Sequence, residues 1–291
     1  MADVLGPAPA ALPPAGARAG PGWNPSLVAG AALVGLVVVV ALVSFFWTPY
    51  APMRVDSPSR LLGFSAEHWL GTDKFGRDAT SMIMVGARTT LFVGLIAVSV
   101  AALIGVPLGV LAAMGPSWLG QLVMRASDLV LAFPALLLAI MFGAVYGAST
   151  LTAMIAIGIA TIPSFARVAR AGALQVMRTE YVLAARVSGR SRFAIAGRHV
   201  LPNISSLVIV QASVSFAIAV LAEAALSFLG LGTPPRTPSW GRMLQESQEL
   251  LFVAPRLAVV PGVAIAIAVL GFNLLGDGLR DRYDPKLEQA R

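Results

Sequence analysis

TEYVLAARVSGRSRFAIAGRHVLPN, residues 179–203, is the stretch on which the reading of the chain turns. It is polar and arginine-rich: Arg186, Arg190, Arg192 and Arg198 lie inside it, and Arg167, Arg170 and Arg178 come just before it. Both flanks are long and apolar. Thr179 is placed to cap a helix, its hydroxyl accepting from a free amide of the first turn. Glu180 follows at the positive end of the helix dipole, where a carboxylate is favoured. Ala184 and Ala185 make a small-residue face that another surface can approach closely. Gly189 predicts the break, since glycine alone takes left-handed geometry at little cost. Ser191 is placed to cap a second short helix, with Phe193, Ala196 and Val200 roughly on one side. Leu201-Pro202-Asn203 is expected to end it, because proline cannot continue a helix from its interior. The expectation is a helix–Gly–helix lug docked on a surface and kept out of lipid.

The rest of the composition explains why such an island stands out. The chain has 291 residues, a mean hydropathy of +0.80 and only 12% charged residues, against about 25% in soluble globular domains. Long uncharged runs in one chain of this length predict a polytopic membrane protein. The net charge of +7 is a matter of sidedness and not of nucleic-acid binding. There is no cysteine, which excludes disulfides, thiol catalysis and cysteine-ligated metals.

Residues 1–26 are rich in Ala, Pro and Gly and cannot bury a core, so a flexible tail is predicted. Leu27–Trp47 is too long for the roughly 7–15-residue core of a signal peptide and reads as a first membrane span. With the polar segment up to Arg88 it forms a unit over 27–88. Thr89–Met114 is the second span, with Gly105 and Gly109 as a GxxxG pair for close helix packing and Pro107 as a bend. Gly115–Ser127 reads as a turn, with Arg125 and Asp128 able to pair at i and i+3. Leu129–Ala166 carries no charge and is about twice the ~20 residues one span needs, so two spans are predicted, near 129–146 and 150–166. Pro134 and Pro163 are expected to bend them. After the island come a fifth span, Ile204–Gly230, a proline-rich segment to Arg256 that no regular helix fits, and a sixth span, Leu257–Gly276. The bundle thus covers 89–280, with a loop over 167–203 and a charged tail at 281–291. With both termini inside, thirteen of the 21 Lys+Arg are cytoplasmic, and the excess is strongest in the short loops.

Few residues offer chemistry. No G-x-x-x-x-G-K-[ST] is present to cradle phosphates. The two histidines, His68 and His199, fall on opposite membrane sides in this topology. Glu67, His68, Asp73 and Asp78 lack a spacing that would bring them to one face, so loop charges and ion pairs are expected there instead of a metal site. Glu223, alone near the outer end of the fifth span, is a candidate substrate contact, because an ionisable residue within a membrane is a functional hypothesis by default. Its alternative is a structural bond to a serine such as Ser227. The residues alone leave open an ATP-driven importer, a secondary transporter or channel, and a membrane scaffold.

The spacing Ala184-Ala185-x3-Gly189-x11-Leu201-Pro202 resembles the EAA loop of ABC-type importer permeases. Leu183 stands where that motif carries its Glu, and His199 where it carries an Ile. The form EYV-x-AAR…RH-x-LPN is similar to the peptide/nickel branch, whose acid lies three positions earlier, as Glu180 does. Gly71-Thr72-Asp73, Gly76-Arg77-Asp78, the run 124–140 and the segment LSFLGLGTPPRTPSWGRML resemble the same branch. The resemblance covers roughly 60–290. It implies an all-α membrane protein of six transmembrane helices, a type I ABC importer permease-like (MetI-like) bundle with cytoplasmic coupling helices. It also implies a non-catalytic permease subunit in the plasma membrane, moving oligopeptides or dipeptides, or in the alternative nickel. The implied partners are a second permease, two ATPase subunits that hold the ATP and Mg, and an extracytoplasmic binding protein. Glu180, Tyr181, Ala184, Ala185, Arg186, Gly189, Arg190 and Arg198 are the implied contacts to the ATPase.

Overall fold

A computed structural model describes residues 24–147, 149–234 and 236–283. Most of the expected N-terminal tail and the C-terminal residues from 284 lie outside them. The described chain is helical. Helix α1 is Pro25–Phe46, α2 Ala79–Met114, α3 Ser117–Ala132, α4 Ala135–Tyr146 and α5 Thr150–Val176. Then follow α6 Glu180–Val187, α7 Arg192–Ile195, α8 Leu201–Phe228, α9 Trp240–Ser247 and α10 Arg256–Tyr283. Five of these are long and apolar enough to cross a membrane, and six spans result if the bent pair α3–α4 counts as one.

The pair α3–α4 departs from expectation. The supposed turn at 115–127 shrinks to Gly115-Pro116, and α3 runs on to Ala132. No breaker lies inside it until Pro134, which forces Phe133 into extended geometry (φ −91°, ψ 130°). The two helices meet at 82° there. Asp128 pairs with Arg167 on α5 (2.5 Å) instead of with Arg125. Pro163 sits inside an α5 that stays one helix.

Helix α2 starts ten residues before Thr89, because Asp78 caps it: its carboxylate accepts from the Ser81 amide and hydroxyl, both at 2.7 Å. The early start brings Arg88 onto the helix, where it donates to Ser44 (2.5 Å) and lies 4.0 Å over the Phe45 ring, a cation–π contact that keeps the charge paired. Asp73 holds a turn, accepting from the amides of Phe75 and Arg77. Gly76 needs its positive φ (77°) at this turn, and a side chain there would strike the Asp56 carbonyl.

The bundle is held by close approach. Lipid tails are as apolar as leucine, so small residues that let backbones touch drive helix association in membranes. Helix α2 packs along α5, α1 along α10, and α8 against α10, α5 and α2. Gly105 and Gly109 face α5, where added side chains would meet Ile162 O and Phe165 at the first and Ala166 O and Ala169 at the second. On α1, in contrast, Gly35 has open space. Gly109→Leu should therefore push α2 off α5 at a cost of about 1–3 kcal/mol. The melting temperature of the detergent-purified protein should fall by several degrees, while Gly35→Leu leaves it unchanged. Equal melting of the two variants would refute this packing.

Candidate functional site

The island between α5 and α8 folds as a lug. Helix α5 ends at Met177, and Thr179, in extended geometry, redirects the chain. The Thr179 hydroxyl makes no cap. It donates to Val176 O (2.6 Å), while its carbonyl receives the amides of Val182 and Leu183. Glu180 begins α6. At the far end Gly189 takes φ +74°, its amide donates to Arg186 O (3.0 Å), and the Arg190 amide donates to Ala185 O (3.2 Å). This is a Schellman ending, with glycine at the position that needs left-handed backbone. Ser191 then caps α7 by accepting from the Ala194 amide (3.3 Å).

Leu201-Pro202-Asn203 does not end the second helix. Residues Ala196–Val200 wind as a π-turn, the Leu201 amide reaching back to Ala196 O, and α8 continues directly. Pro202 lies in the first turn of α8. The wide turn before it relieves the clash a proline ring makes with the carbonyl four residues back. The Asn203 side chain supplies a donor to His199 O (2.6 Å). The lug is therefore a rigid extension of α8 and not a separate loop.

One face of the lug is locked to the bundle. Val182, Ile195, Val200 and Ile204 are buried with Val110 of α2 and Ala169, Ala173 and Met177 at the end of α5. Phe193, Ala196 and Val200, expected roughly on one side, do not share one environment: Val200 is buried and Phe193 exposed, and Ile195 is the residue of α7 that turns inward. Phe193 is 83% exposed and Val187 90% exposed. Glu180, Tyr181, Ala184, Arg186, Gly189, Arg190 and Arg198 all face outward, and Ala185 is half-buried. The Tyr181 ring leans on His199, centroids 5.9 Å apart. Among the described residues, no carboxylate lies within ion-pair distance of Arg178, Arg186, Arg190, Arg192 or Arg198. The free surface is thus cationic with two large apolar side chains at its tip. Sequence reasoning does not find Val187 and Phe193 as surface residues. The signal is there, since an apolar residue flanking Gly189-Arg190-Ser191-Arg192 has little chain around it to bury it.

At the other end of α8 lies a second polar cluster. Arg77 is buried between Asp73 (2.5 Å) and Glu246 of α9. Burial works against the Arg77 charge, but the Asp73 and Glu246 carboxylates outweigh it and hold its pKa above the ordinary arginine value. His68 Nδ1 lies 2.9 Å from Asp78 Oδ1. Of the four residues considered for a metal, His68 and Asp78 engage each other and Asp73 engages Arg77, while Glu67 is exposed. Glu223 is 1% exposed, and Ser227 (2.7 Å) and Thr233 (3.0 Å) both donate to its Oε1. The Ser227 expected beside it is thus its neighbour one turn on, in the same chain. The proline-rich segment is irregular only as far as Ser239, which caps α9 through the Arg242 amide (3.1 Å).

Comparison with known proteins places this geometry in a family. Residues 105–289 match the family described as "Binding-protein-dependent transport system inner membrane component". The dipeptide transport system permease protein DppC of Alkalihalophilus pseudofirmus is 42% identical over 264 residues, covering 88% of this chain and 86% of that protein. The glutathione transport system permease protein GsiD of Pectobacterium atrosepticum is 40% identical, covering 89% and 87%. The di/tripeptide transport system permease protein DppC of Pseudomonas aeruginosa is 40% identical, covering 92% and 90%. Among solved structures, a chain of the inward-facing MetNI methionine ABC transporter superposes with a TM-score of 0.59 at 18% identity, covering 70% of this chain and 97% of that one. That likeness carries the fold.

The division of the lug into an inner and an outer face is testable in the subunit alone. Ile195→Ala should cost about 2–4 kcal/mol, as a buried large-to-small change does. Phe193→Ala should stay within about 0.5 kcal/mol, as a surface change does. Thermal unfolding in detergent measures both, and an equal loss would mean the faces are assigned wrongly.

Proposed function

Because the chain belongs to the family of binding-protein-dependent transport system inner membrane components, we propose that it is a translocation subunit of an ATP-driven importer for dipeptides or short oligopeptides. It works beside a second, similar permease, with two ATPase subunits on the cytoplasmic side and a binding protein outside. ATP and Mg²⁺ sit on the ATPase subunits, and both termini of this chain are cytoplasmic, in keeping with the arginine excess around the lug. The peptide assignment rests on what the relatives transport.

One observation carries the reading: the lug turns its cations and its apolar tip, Val187 and Phe193, away from the bundle while its inner face is welded to α2, α5 and α8. Large exposed apolar side chains ringed by polar residues mark a surface that another protein covers. ATP binding draws the ATPase pair together. The lugs move with them, and because each lug continues directly into α8, the displacement passes to the spans as a rigid-body tilt. The bundle alternates between openings to the two sides. Ala184 and Ala185 let the partner come close, Glu180, Arg186, Arg190 and Arg198 make its polar contacts, and Tyr181 braces α6 on His199.

Gly189 has open space around it. A side chain there clashes with nothing in this chain, costing only the roughly 1–2 kcal/mol of left-handed backbone. A large effect of bulk therefore reports on an external surface. Gly189→Leu and Ala185→Trp should leave membrane insertion intact and cut substrate-stimulated ATP hydrolysis by about tenfold or more, the loss of at least ~1.4 kcal/mol of docking free energy. Gly189→Ala, carrying the same backbone strain with less bulk, should keep most of it. Normal stimulation in the two bulky variants would remove the lug from the coupling path.

A further inference from the structure

A carboxyl group inside a membrane span is costly, and among the described residues no cation lies within ion-pair distance of Glu223 to offset that cost. Its partners are hydroxyls, Ser227 on its own helix and Thr233 beyond the helix end. The Thr233 amide donates in turn to Ser227 Oγ (2.9 Å). Glu223, Ser227, Thr233 and Ser239 are all buried, so no substrate reaches the carboxyl in this structure. What the cluster does is hold chain to chain. Helix α8 ends in a second Schellman turn: Gly230, at φ +81°, donates to Ser227 O, and Leu231 donates to Leu226 O. Glu223 then receives the hydroxyl of Thr233 and pulls the proline-rich segment back over the helix end. Packing there is backbone to backbone. A side chain on Gly232 would meet Ser227, and one on Gly241 would meet the Ala224 carbonyl.

The segment so seated carries the rest of the outer cap. Pro238 O accepts from Thr89 (2.9 Å), and the Trp240 indole donates to Ile83 O (3.0 Å). Helix α9 then presents Glu246 to Arg77, and Arg256 donates to the carbonyls of Leu61 and Leu62 (2.6 and 2.9 Å). The loop before α2 and the segment after α8 are thereby one body, fastened to α8 at Glu223. Its outer surface exposes Phe64, Phe252 and Val253.

We propose that Glu223 is a positioning residue: by setting the height and angle of this outer cap, it tunes how tightly the importer's binding protein engages this subunit. The inference rests on the importer reading above. It assigns Glu223 to partner recognition at a distance and not to contact with the transported peptide. The group acts as an acceptor of two hydrogen bonds, so glutamine, which keeps Oε1, can replace it, whereas leucine, of similar bulk, cannot.

The test uses the assembled transporter in nanodiscs and its binding protein loaded with alanyl-alanine, with ATP hydrolysis followed against binding-protein concentration. Glu223→Leu should raise the concentration for half-maximal stimulation by about tenfold while the rate at saturation holds, as expected for losing two buried hydrogen bonds that shape a binding surface. Glu223→Gln should stay within about twofold of the parent. Thr233→Val, which removes one donor and leaves the span untouched, should raise it by about threefold, and it carries the test if Glu223→Leu does not assemble. An unchanged half-point in the leucine variant, or in Thr233→Val where that variant stands in for it, overturns the proposal. So does a glutamine variant as impaired as leucine, or a loss confined to the saturated rate. Failure of the binding protein to stimulate the parent transporter would overturn the importer reading itself, and this inference with it.

Discussion

The structure depends on the apolar seat beneath the lug. Val182, Ile195, Val200 and Ile204 close on the ends of α2 and α5. Burying each such side chain away from water is worth about 1.5–3 kcal/mol. This is a different source of stability from the one that assembles the spans. Within lipid no such driving force exists between apolar helices, and α2 and α5 are held by the fit of Gly105 and Gly109 against backbone. At the lug, water is on the outside and the hydrophobic effect returns. Close-packed interiors transmit displacement with little compression. A force applied to Phe193 or Val187 therefore arrives at α5 and α8 as movement and is not absorbed by a loose loop.

The π-turn at Ala196–Val200 belongs to the same device. A helix that ended at Leu201 would leave the lug hinged on a coil. Continuous winding from Arg192 to Phe228 gives one lever, with the lug at one end and Glu223 near the other. The Glu223 end is fastened by polar contacts, with Glu223 bonded to Thr233 and Arg77 bonded to Asp73 and Glu246. The lug end is fastened by apolar ones. The two kinds of fastening behave differently under load. Buried polar contacts demand particular partners and so fix geometry, while an apolar seat tolerates small shifts.

Much of this is legible in the chain itself. Gly189 and Ser191 read correctly because each acts locally: a left-handed residue and a capping hydroxyl need only their neighbours. The apolar spans are equally plain, and GxxxG at Gly105 and Gly109 points to close packing that the structure places against α5. What the sequence conceals depends on longer range. Pro202 looks like a stop under the rule for helix interiors, but it lies in a first turn, made available by a π-turn no pattern announces. Residues 115–127 look like a turn because Gly115 and Pro116 open the segment, although the chain winds as a helix from Ser117 on. Asp128 seems matched to its sequence neighbour Arg125 because Arg167 comes near only through packing of α3 on α5. The direction of Phe193 is not legible, because a four-residue helix has too little periodicity to fix a face. At the lug, glycine and arginine positions are therefore plain in the sequence, whereas the exposure of the apolar tip shows only in how little chain surrounds it.

The absence of cysteine from the chain makes one experiment direct. Phe193→Cys places a single thiol at the tip of the lug. In sealed membrane vesicles of known orientation, a membrane-impermeant maleimide should label it from the cytoplasmic face alone, and addition of the ATPase subunits should protect it. Labelling from the outer face, or labelling that the assembled ATPase leaves untouched, would contradict the claim that this lug is where the motor grips the bundle.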